Sequence, residues 1–265
     1  MIHEITNPEN AAPLFGNWEE TLIWSCLQGV MGRVYGNHPI HPDTAMATLG
    51  DFSFFAGRPD REFASYRPAG GTPDLRILVP RDTAWRDLIL DIYGARARLA
   101  SRYAIRKEPH VFHRAGLEQA FSSLPKGYTL CRIEESLYHK CLAEDWSRDL
   151  VSQFPTYDAY QRLGLGVVAL STQDGSIVSG ASSYSRYRGG IEIEVDTRSD
   201  CRRRGLAYAC AARLILECLD RGLYPSWDAQ NLYSVALAEK LGYHFSHAYE
   251  AVEVLHKLFV PIASA

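Results

Sequence analysis

The spacing of apolar residues locates the predicted elements in the first half of this chain. A helix is predicted over residues 21–35, where four apolar residues recur near the helical period: Leu22, Cys26, Val30 and Val34. An aromatic segment predicts a strand over residues 52–55, and a short segment rich in β-branched and apolar residues predicts another over residues 76–79. A second helix is predicted over residues 82–93, because Asp82 is a good N-cap. The first half therefore combines both kinds of element.

The second half of the chain has a clearer pattern. Strands are predicted over residues 128–133, 166–171, 177–184, 224–227, 243–247 and 251–256. Helices are predicted over residues 134–143, 156–163, 205–221 and 231–241. Residues 191–195 alternate as Ile-Glu-Ile-Glu-Val, so they predict a strand with one apolar and one acidic face. Helices inserted between strands indicate an α/β fold, and the weak pattern near residue 120 suggests two domains, 1–120 and 121–265.

Composition excludes several classes of function. The 265 residues carry a net charge of -3, whereas nucleic-acid-binding proteins usually have a basic excess, so we expect no nucleic-acid partner. No apolar stretch is long enough to predict a membrane helix, and the first residues lack the pattern of a secretion signal. The six cysteines form no C-x-x-C pair, which is typical of a reducing compartment. We therefore expect a cytoplasmic protein with no membrane partner and no metal.

The most informative segment lies between the strand at 191–195 and the helix at 205–221. Residues 202–207 read Arg-Arg-Arg-Gly-Leu-Ala, which places basic side chains and a glycine at the helix entrance. The first turn of a helix has unpaired N–H groups and a partial positive charge, so it can bind an anion such as a pyrophosphate. Gly205 lets the backbone approach such a ligand without a Cβ in the way. The alternative is that the three arginines form a solvated surface.

Two segments resemble the cofactor-binding elements of the GNAT N-acetyltransferases. Residues 202–207 match the family's Gln/Arg-x-x-Gly-x-Gly/Ala element, after a strand and at the start of a helix. Residues 227–234, Trp-Asp-Ala-Gln-Asn-Leu-Tyr-Ser, and residues 237–243 resemble its second cofactor segment. The first of these two phrases and the stretch at 49–57 resemble a bacterial subgroup that includes zwittermicin-type self-resistance acetyltransferases. The resemblance implies a mixed, mostly antiparallel central sheet flanked by helices, preceded by a smaller, diverged GNAT-like domain.

The resemblance also implies roles for the matched residues, with acetyl-CoA as the co-substrate. The pyrophosphate would lie against the loop and its backbone amides, formed by Arg202, Arg203, Arg204, Gly205, Leu206 and Ala207. The pantetheine arm would pair with the backbone of Val195, Asp196 and Thr197. Asn231 and Ser234 would hydrogen-bond that arm or the phosphates, although Asn231 is also a good helix N-cap.

Acetyl transfer to an amine needs a base, because the amine is protonated at neutral pH. Glu192 and Glu194 share one face of their strand, and we expect Glu194, nearer the cofactor carbonyl, to be the base. The alternatives are that the two carboxylates bind a cationic substrate or form an exposed sheet face. The family often supplies an acid from a tyrosine where this chain has Ala238. Which residue acts as the general acid therefore stays undecided, and the candidates are Tyr184, Tyr208, Tyr233 and His244.

These residues predict an enzyme that transfers an acetyl group from acetyl-CoA to the amine of a small molecule. The absent tyrosine leaves an alternative, a non-catalytic sensor or scaffold that binds acyl-CoA without transfer. The sequence also leaves a homodimer open and does not identify the acceptor.

Overall fold

The chain forms two compact units. The computed structural model describes residues 1–68 and 75–255. The first unit comprises Met1–Arg102 and Ala248–Ala265, and the second comprises Tyr103–His247.

The first unit is a sheet with short helices beside it. Its strands are β1 (His3–Glu4), β2 (Arg33–Gly36), β3 (Thr44–Leu49), β4 (Phe52–Gly57), β5 (Leu75–Pro80) and the first part of β6 (Ala97–Ile105). Its helices are α1 (Ala12–Phe15), α2 (Thr21–Leu27), α3 (Arg61–Ser65) and α4 (Thr83–Tyr93). Strands β1 to β4 pair antiparallel, and β4 pairs with β5 in parallel. As predicted, Asp82 caps α4, because its carboxylate accepts a hydrogen bond from the Trp85 amide at 2.9 Å.

The helix predicted over residues 21–35 is too long. α2 ends at Leu27, and β2 begins at Arg33. Gly29 and Gly32 have φ angles of 64° and 77°, in the left-handed region that an α-helix does not contain. The apolar spacing in this stretch therefore combines one face of a short helix with a buried strand.

The second unit has a five-stranded sheet in the order β11-β10-β9-β8-β7. Its strands are β7 (Tyr128–Arg132), β8 (Gly166–Ser171), β9 (Ile177–Tyr187), β10 (Gly190–Thr197) and β11 (Tyr224–Ser226), followed by β12 (Asp228–Ala229) and the first part of β13 (Phe245–Leu255). Its helices are α5 (Arg114–Ser122), α6 (Glu135–Ala143), α7 (Tyr157–Leu163), α8 (Leu206–Asp220) and α9 (Leu232–Lys240). β10 and β11 pair in parallel, and the other pairs of this sheet are antiparallel. The predicted mixed α/β fold with a mostly antiparallel sheet is confirmed.

Different elements pack against the two faces of the second sheet. Ile191 and Ile193 of β10 are buried in a core that includes the apolar side of α8. Leu150, in a short 3-10 turn before α7, covers the opposite face: a Cβ at Gly180 of β9 would meet its side chain at 2.5 Å. Gly180 is the cross-strand partner of Asp196, and such partners share a face. The acidic face of β10 therefore points to the side of this turn.

Residues 114–127 have a weak sequence pattern, yet most of them form α5. Leu117 and Ala120 are buried in the second core, and the His113 ring caps the helix start. Residue 120, where we place the predicted domain boundary, lies inside α5 and within the second unit. The division at that point stays a prediction.

The closing strands predicted over 243–247 and 251–256 form one continuous strand, β13. The last residue of that prediction, His256, lies outside the described residues. Within residues 1–68 and 75–255, no helix is both long and apolar enough to cross a membrane.

Candidate functional site

A wedge-shaped opening separates two strands of the second unit. β10 and β11 pair over residues 190–192 and 224–226. β10 then continues to Thr197 with β9 as its partner, whereas the chain after β11 forms β12 and pairs with β6. Within the described residues, no strand occupies this freed edge of β10 beyond Glu192. The backbone of residues 195–197, predicted to meet the pantetheine arm, thus borders the opening.

The wedge closes at Glu192 and Ser226, which are partners at the last paired position. The register of the β9–β10 ladder shifts between Glu192 and Ile193, where β9 contains an extra residue, Tyr184. Such a bulge bends and twists the strands. The bulge therefore lies at the point where β10 and β11 separate, which we call the apex.

Glu192 is buried among polar side chains at the apex. It is 6% exposed, and its cross-strand partners are Ser185 on β9 and Ser226 on β11. The Tyr187 and Ser226 hydroxyls are hydrogen-bonded at 2.9 Å. Burial raises the pKa of Tyr187; the hydrogen bond with Ser226 opposes this, and the charge of Glu192 adds to it. The alternative of an exposed sheet face thus does not describe Glu192.

Glu194 and Asp196 follow Glu192 on the same face of β10, and both are half-buried. Burial raises the pKa of Asp196 to about 6; the charge of Asp149 adds to this effect, while Arg202 opposes it. Asp149 belongs to the turn that covers this side of the sheet. One wall of the wedge therefore carries several carboxyl groups, which suit a cationic ligand.

The loop after β10 leads to the start of α8 and is exposed. Arg203 and Gly205 have left-handed φ angles of 63° and 80°, and Gly205 is the N-cap residue of α8. A Cβ at Gly205 would meet nothing within 4 Å, so the space in front of the helix is open. α8 is 15 residues long, and its first-turn amides carry the positive end of the helix dipole. Pyrophosphate binding by this loop stays a prediction, in which Leu206 would offer only its backbone because its side chain is buried.

The loop arginines have different partners. Arg202 donates a hydrogen bond to the Thr197 carbonyl at 3.4 Å. Arg204 donates to the Tyr128 hydroxyl at 2.8 Å and to a loop carbonyl at 2.9 Å. Arg203 is exposed. Arg202 and Arg204 therefore help to hold the loop in shape, and all three bring positive charge to the helix start.

The second predicted cofactor segment surrounds the start of α9. The Asn231 side chain accepts a hydrogen bond from the Ser234 amide at 3.0 Å, so Asn231 is the N-cap of this helix. The Ser234 hydroxyl accepts a hydrogen bond from the Trp227 indole at 3.0 Å. Ala238 is fully buried. Asn231 and Ser234 thus support α9, and their contacts with a cofactor stay a prediction.

The four candidate acids lie in different surroundings. Tyr184 is 6% exposed and belongs to the bulge beside the apex, whereas Tyr233 is 89% exposed. A lysine ammonium lies 4.1 Å from the centre of the Tyr208 ring. His244 Nδ1 lies 2.6 Å from a carboxylate oxygen of Glu108. Tyr184 therefore lies on the strand next to β10 at the level of the apex, and the identity of the acid stays open.

Three residues of the wedge were not identified from the sequence: Asp149, Tyr187 and Ser226. Tyr187 and Ser226 meet because β10 pairs with both of their strands, and Asp149 comes from a distant turn. No local pattern marks such neighbours; the alternation of residues 191–195 was the one signal pointing to this region. Within residues 1–68 and 75–255, no group of three or more His, Cys, Asp or Glu side chains could hold a metal ion.

Known proteins resemble this chain over most of its length. The family model described as GNAT acetyltransferase matches residues 12–252. An uncharacterized N-acetyltransferase of Bacillus subtilis (strain 168) is 29% identical over 240 residues, which cover 84% of this chain and 86% of that protein. The crystal structure of a GCN5-related N-acetyltransferase-like protein from Streptococcus suis 89/1591 is 47% identical, with a TM-score of 0.88 and coverage of 94% of this chain and 98% of that one. A tandem GNAT protein from the clavulanic acid biosynthesis pathway shares the fold at 9% identity, with a TM-score of 0.55 and coverage of 96% and 98%.

Proposed function

Because this chain belongs to the GNAT acetyltransferase family, we propose that it transfers an acetyl group from acetyl-CoA to the amine of a small molecule. The family makes the chain an acyltransferase. The observation that carries the proposal is the wedge between β10 and β11, which opens toward the exposed loop at the start of α8. That loop suits the pyrophosphate of an acyl donor. The wall of the wedge carries carboxyl groups, which suit a cationic acceptor.

We assign coenzyme A to the loop and the freed edge of β10. The amides of residues 203–207 would hold the pyrophosphate, together with the dipole of α8 and the charge of Arg202. The backbone of residues 195–197 would pair with the amides of the pantetheine arm, much as a neighbouring strand would. Asn231 and Ser234 have donor groups beyond their bonds in the cap, and we assign these to the arm or the phosphates. When bound, acetyl-CoA supplies an activated thioester.

We assign Glu194 as the general base. The acceptor amine must lose a proton before it attacks, and a half-buried carboxylate is accessible to a bound acceptor. Glu192 lies deeper, at the apex, where its charge would favour a cationic acceptor. Asp196 and Asp149 add to this preference on the same side of the sheet. These four carboxyl groups support an amine as the acceptor class.

Ala238 does not prevent the reaction. A tyrosine at that position would protonate the leaving thiolate, yet a thiol has a pKa of about 8.5, so its anion is a tolerable leaving group. Backbone N–H groups on the freed edge of β10 are suitable donors for the negative charge that develops on the thioester oxygen. The chain can therefore perform the transfer without a tyrosine at position 238.

The test measures thiol release from acetyl-CoA in the presence of polyamines, aminoglycosides, amino acids and peptides. We expect turnover with at least one amine, and we expect Glu194→Gln to lower kcat by about 10²–10⁴-fold. Titration calorimetry should show that this variant still binds coenzyme A, because the substitution leaves the loop and α8 intact. Glu118→Gln, an exposed substitution on α5, is the matched control and should retain full activity.

Two other outcomes have definite meanings. Tight binding of coenzyme A without turnover on any amine would favour the alternative, a non-catalytic sensor or scaffold. Absence of binding heat at millimolar coenzyme A would contradict both functions, the acetyltransferase and the non-catalytic sensor or scaffold, because both require coenzyme A to bind. If Glu192→Gln lowered kcat by about 10²–10⁴-fold and Glu194→Gln left it unchanged, the general base would be Glu192.

We also propose that the first part of the chain, which we place at residues 1–120, is a diverged GNAT-like domain. The fold shared with a tandem GNAT protein over 96% of this chain supports this proposal. The zwittermicin-type subgroup and a homodimer stay predictions, to be checked by acceptor screening and by sedimentation.

A further inference from the structure

A cavity of about 220 Å³ lies between α5, β7, β8 and α8, within the second unit. It is lined by Phe121, Leu130, Cys131, Arg132, Val167 and Arg213. Arg213 follows Gly205 by eight residues along α8, which corresponds to about 12 Å at 1.5 Å per residue. The cavity is therefore separate from the loop that we assign to the pyrophosphate.

Three arginines surround a single buried carboxylate beside this cavity. Glu217 is 2% exposed, and it accepts hydrogen bonds from Arg132 at 2.5 and 3.1 Å, from Arg213 at 2.6 Å and from Arg221 at 2.6 Å. Burial by itself would raise the pKa of Glu217, but these hydrogen bonds outweigh it and lower the pKa to about 2. One negative charge against three positive charges leaves the cluster with an excess of about two.

Two of these arginines also line the cavity and have donors to spare. A guanidinium has five N–H groups. Within the described residues, Arg132 directs two of its nitrogen atoms to Glu217 and Arg213 directs one. Their side chains are 54% and 37% exposed, so a ligand can contact them. The Arg213 guanidinium lies 5.4 Å from the centre of the Phe121 ring, which restricts its orientation.

We propose that this cavity binds a small organic anion, namely a monocarboxylate with a short aromatic or aliphatic body. The carboxylate lies against Arg132 and Arg213, whose remaining N–H groups match its two oxygen atoms. The body lies against Phe121, Leu130 and Val167. The volume is below the range of about 300–1,000 Å³ typical of pockets for drug-sized molecules, so the ligand is small. The apolar wall favours a carboxylate with a hydrocarbon part over a bare inorganic anion.

The experiment uses the full chain and titration calorimetry with benzoate. Benzamide, its neutral counterpart, and inorganic phosphate are titrated in parallel. We expect benzoate to bind in the millimolar range or tighter, and benzamide and phosphate to bind at least about tenfold more weakly, because each lacks either the charge or the apolar body. Arg213→Gln and Arg132→Gln should each weaken benzoate binding by at least about tenfold, since each removes a charge-assisted hydrogen bond.

Arg221→Gln is the matched control. It removes the same charge and the hydrogen bonds to the carboxylate and the backbone carbonyl of Glu217, yet Arg221 does not line the cavity, so benzoate affinity should change less than about twofold. Leu130→Phe narrows the cavity without changing any charge and should weaken benzoate binding by at least about tenfold, even if Arg213→Gln proves too unstable to study. The proposal would be overturned if benzoate did not bind, if benzamide bound as tightly as benzoate, or if phosphate bound more tightly. It would also be overturned if Arg221→Gln and Arg213→Gln lost the same amount of benzoate affinity.

Discussion

Replacing Asp196 by asparagine should stabilise the protein at neutral pH. Burial and, to a smaller extent, the charge of Asp149 raise the pKa of Asp196 from 3.8 to about 6, although Arg202 acts in the opposite direction. One pKa unit corresponds to about 1.36 kcal/mol, so ionising this carboxyl group in the folded protein costs about 3 kcal/mol. Asparagine has nearly the same shape and does not ionise.

The sign of the effect depends on pH. Below about pH 4, the carboxyl group is protonated in both the folded and the unfolded chain, so it costs nothing. As the pH rises from about 4 to 6, the unfolded chain loses this proton first, and the free energy of unfolding falls. Above about pH 6 the whole penalty is present. The advantage of Asp196→Asn should therefore grow by about 2.5 kcal/mol between pH 4 and pH 8, because a small part of the penalty is already present at pH 4.

Urea unfolding of both proteins at pH 4, 5, 6, 7 and 8, followed by tryptophan fluorescence, measures this change. Comparing the two proteins across pH removes the constant cost of burying an amide. Asp158→Asn removes one exposed carboxyl group from the same unit and controls for the change in net charge. Asp149→Asn removes only the repulsive charge and should give a smaller effect of the same sign.

Two results would refute a raised pKa of Asp196. One is a stability difference between Asp196→Asn and the wild type that depends on pH no more than the difference for Asp158→Asn, and the other is a loss of stability of Asp196→Asn relative to the wild type as the pH rises. Either result would mean that Asp196 ionises as readily in the folded protein as in the unfolded chain.

Substitutions at three further positions test the loop before α8, the start of α9 and the core by urea unfolding. Gly205→Ala should lower the free energy of unfolding by about 1 kcal/mol, because its φ of 80° is left-handed. A Cβ there would meet no atom within 4 Å, so the new methyl group adds neither a clash nor a stabilising contact. An unchanged stability would contradict this expectation. Asn231→Ala should cost about 1 kcal/mol by removing the cap on the Ser234 amide, whereas Asn231→Asp should keep the cap and weaken coenzyme A binding only if residue 231 faces the phosphates. Tyr160→Phe should cost about 1 kcal/mol by leaving the buried Ser182 hydroxyl without its 2.9 Å hydrogen bond, and acetyl transfer should not change.

Several elements of both units follow from signals that act within a few residues. The alternation of residues 191–195 predicts β10 and its faces, and the glycine at position 205 marks the start of α8. Asp82 and Asn231 begin their helices as their side chains suggest. These features depend on side-chain period and on hydrogen bonds to backbone two or three residues away, so they can be read from a short stretch of chain. The end of α2 also had a local signal, in Gly29 and Gly32, which the apolar spacing obscured.

Contacts between distant residues follow a different rule. Strand register determines that Tyr187 meets Ser226. The packing of α8 and of the turn before α7 against the sheet determines two further contacts: Asp149 lies near Asp196, and three arginines surround Glu217. A shift of one residue in register would move each side chain to the other face, and no local pattern specifies which strands become neighbours. The motifs in the chain therefore predict a binding place for an acyl donor, while the packed sheet determines which carboxyl groups line the wedge and where the arginine-lined cavity forms.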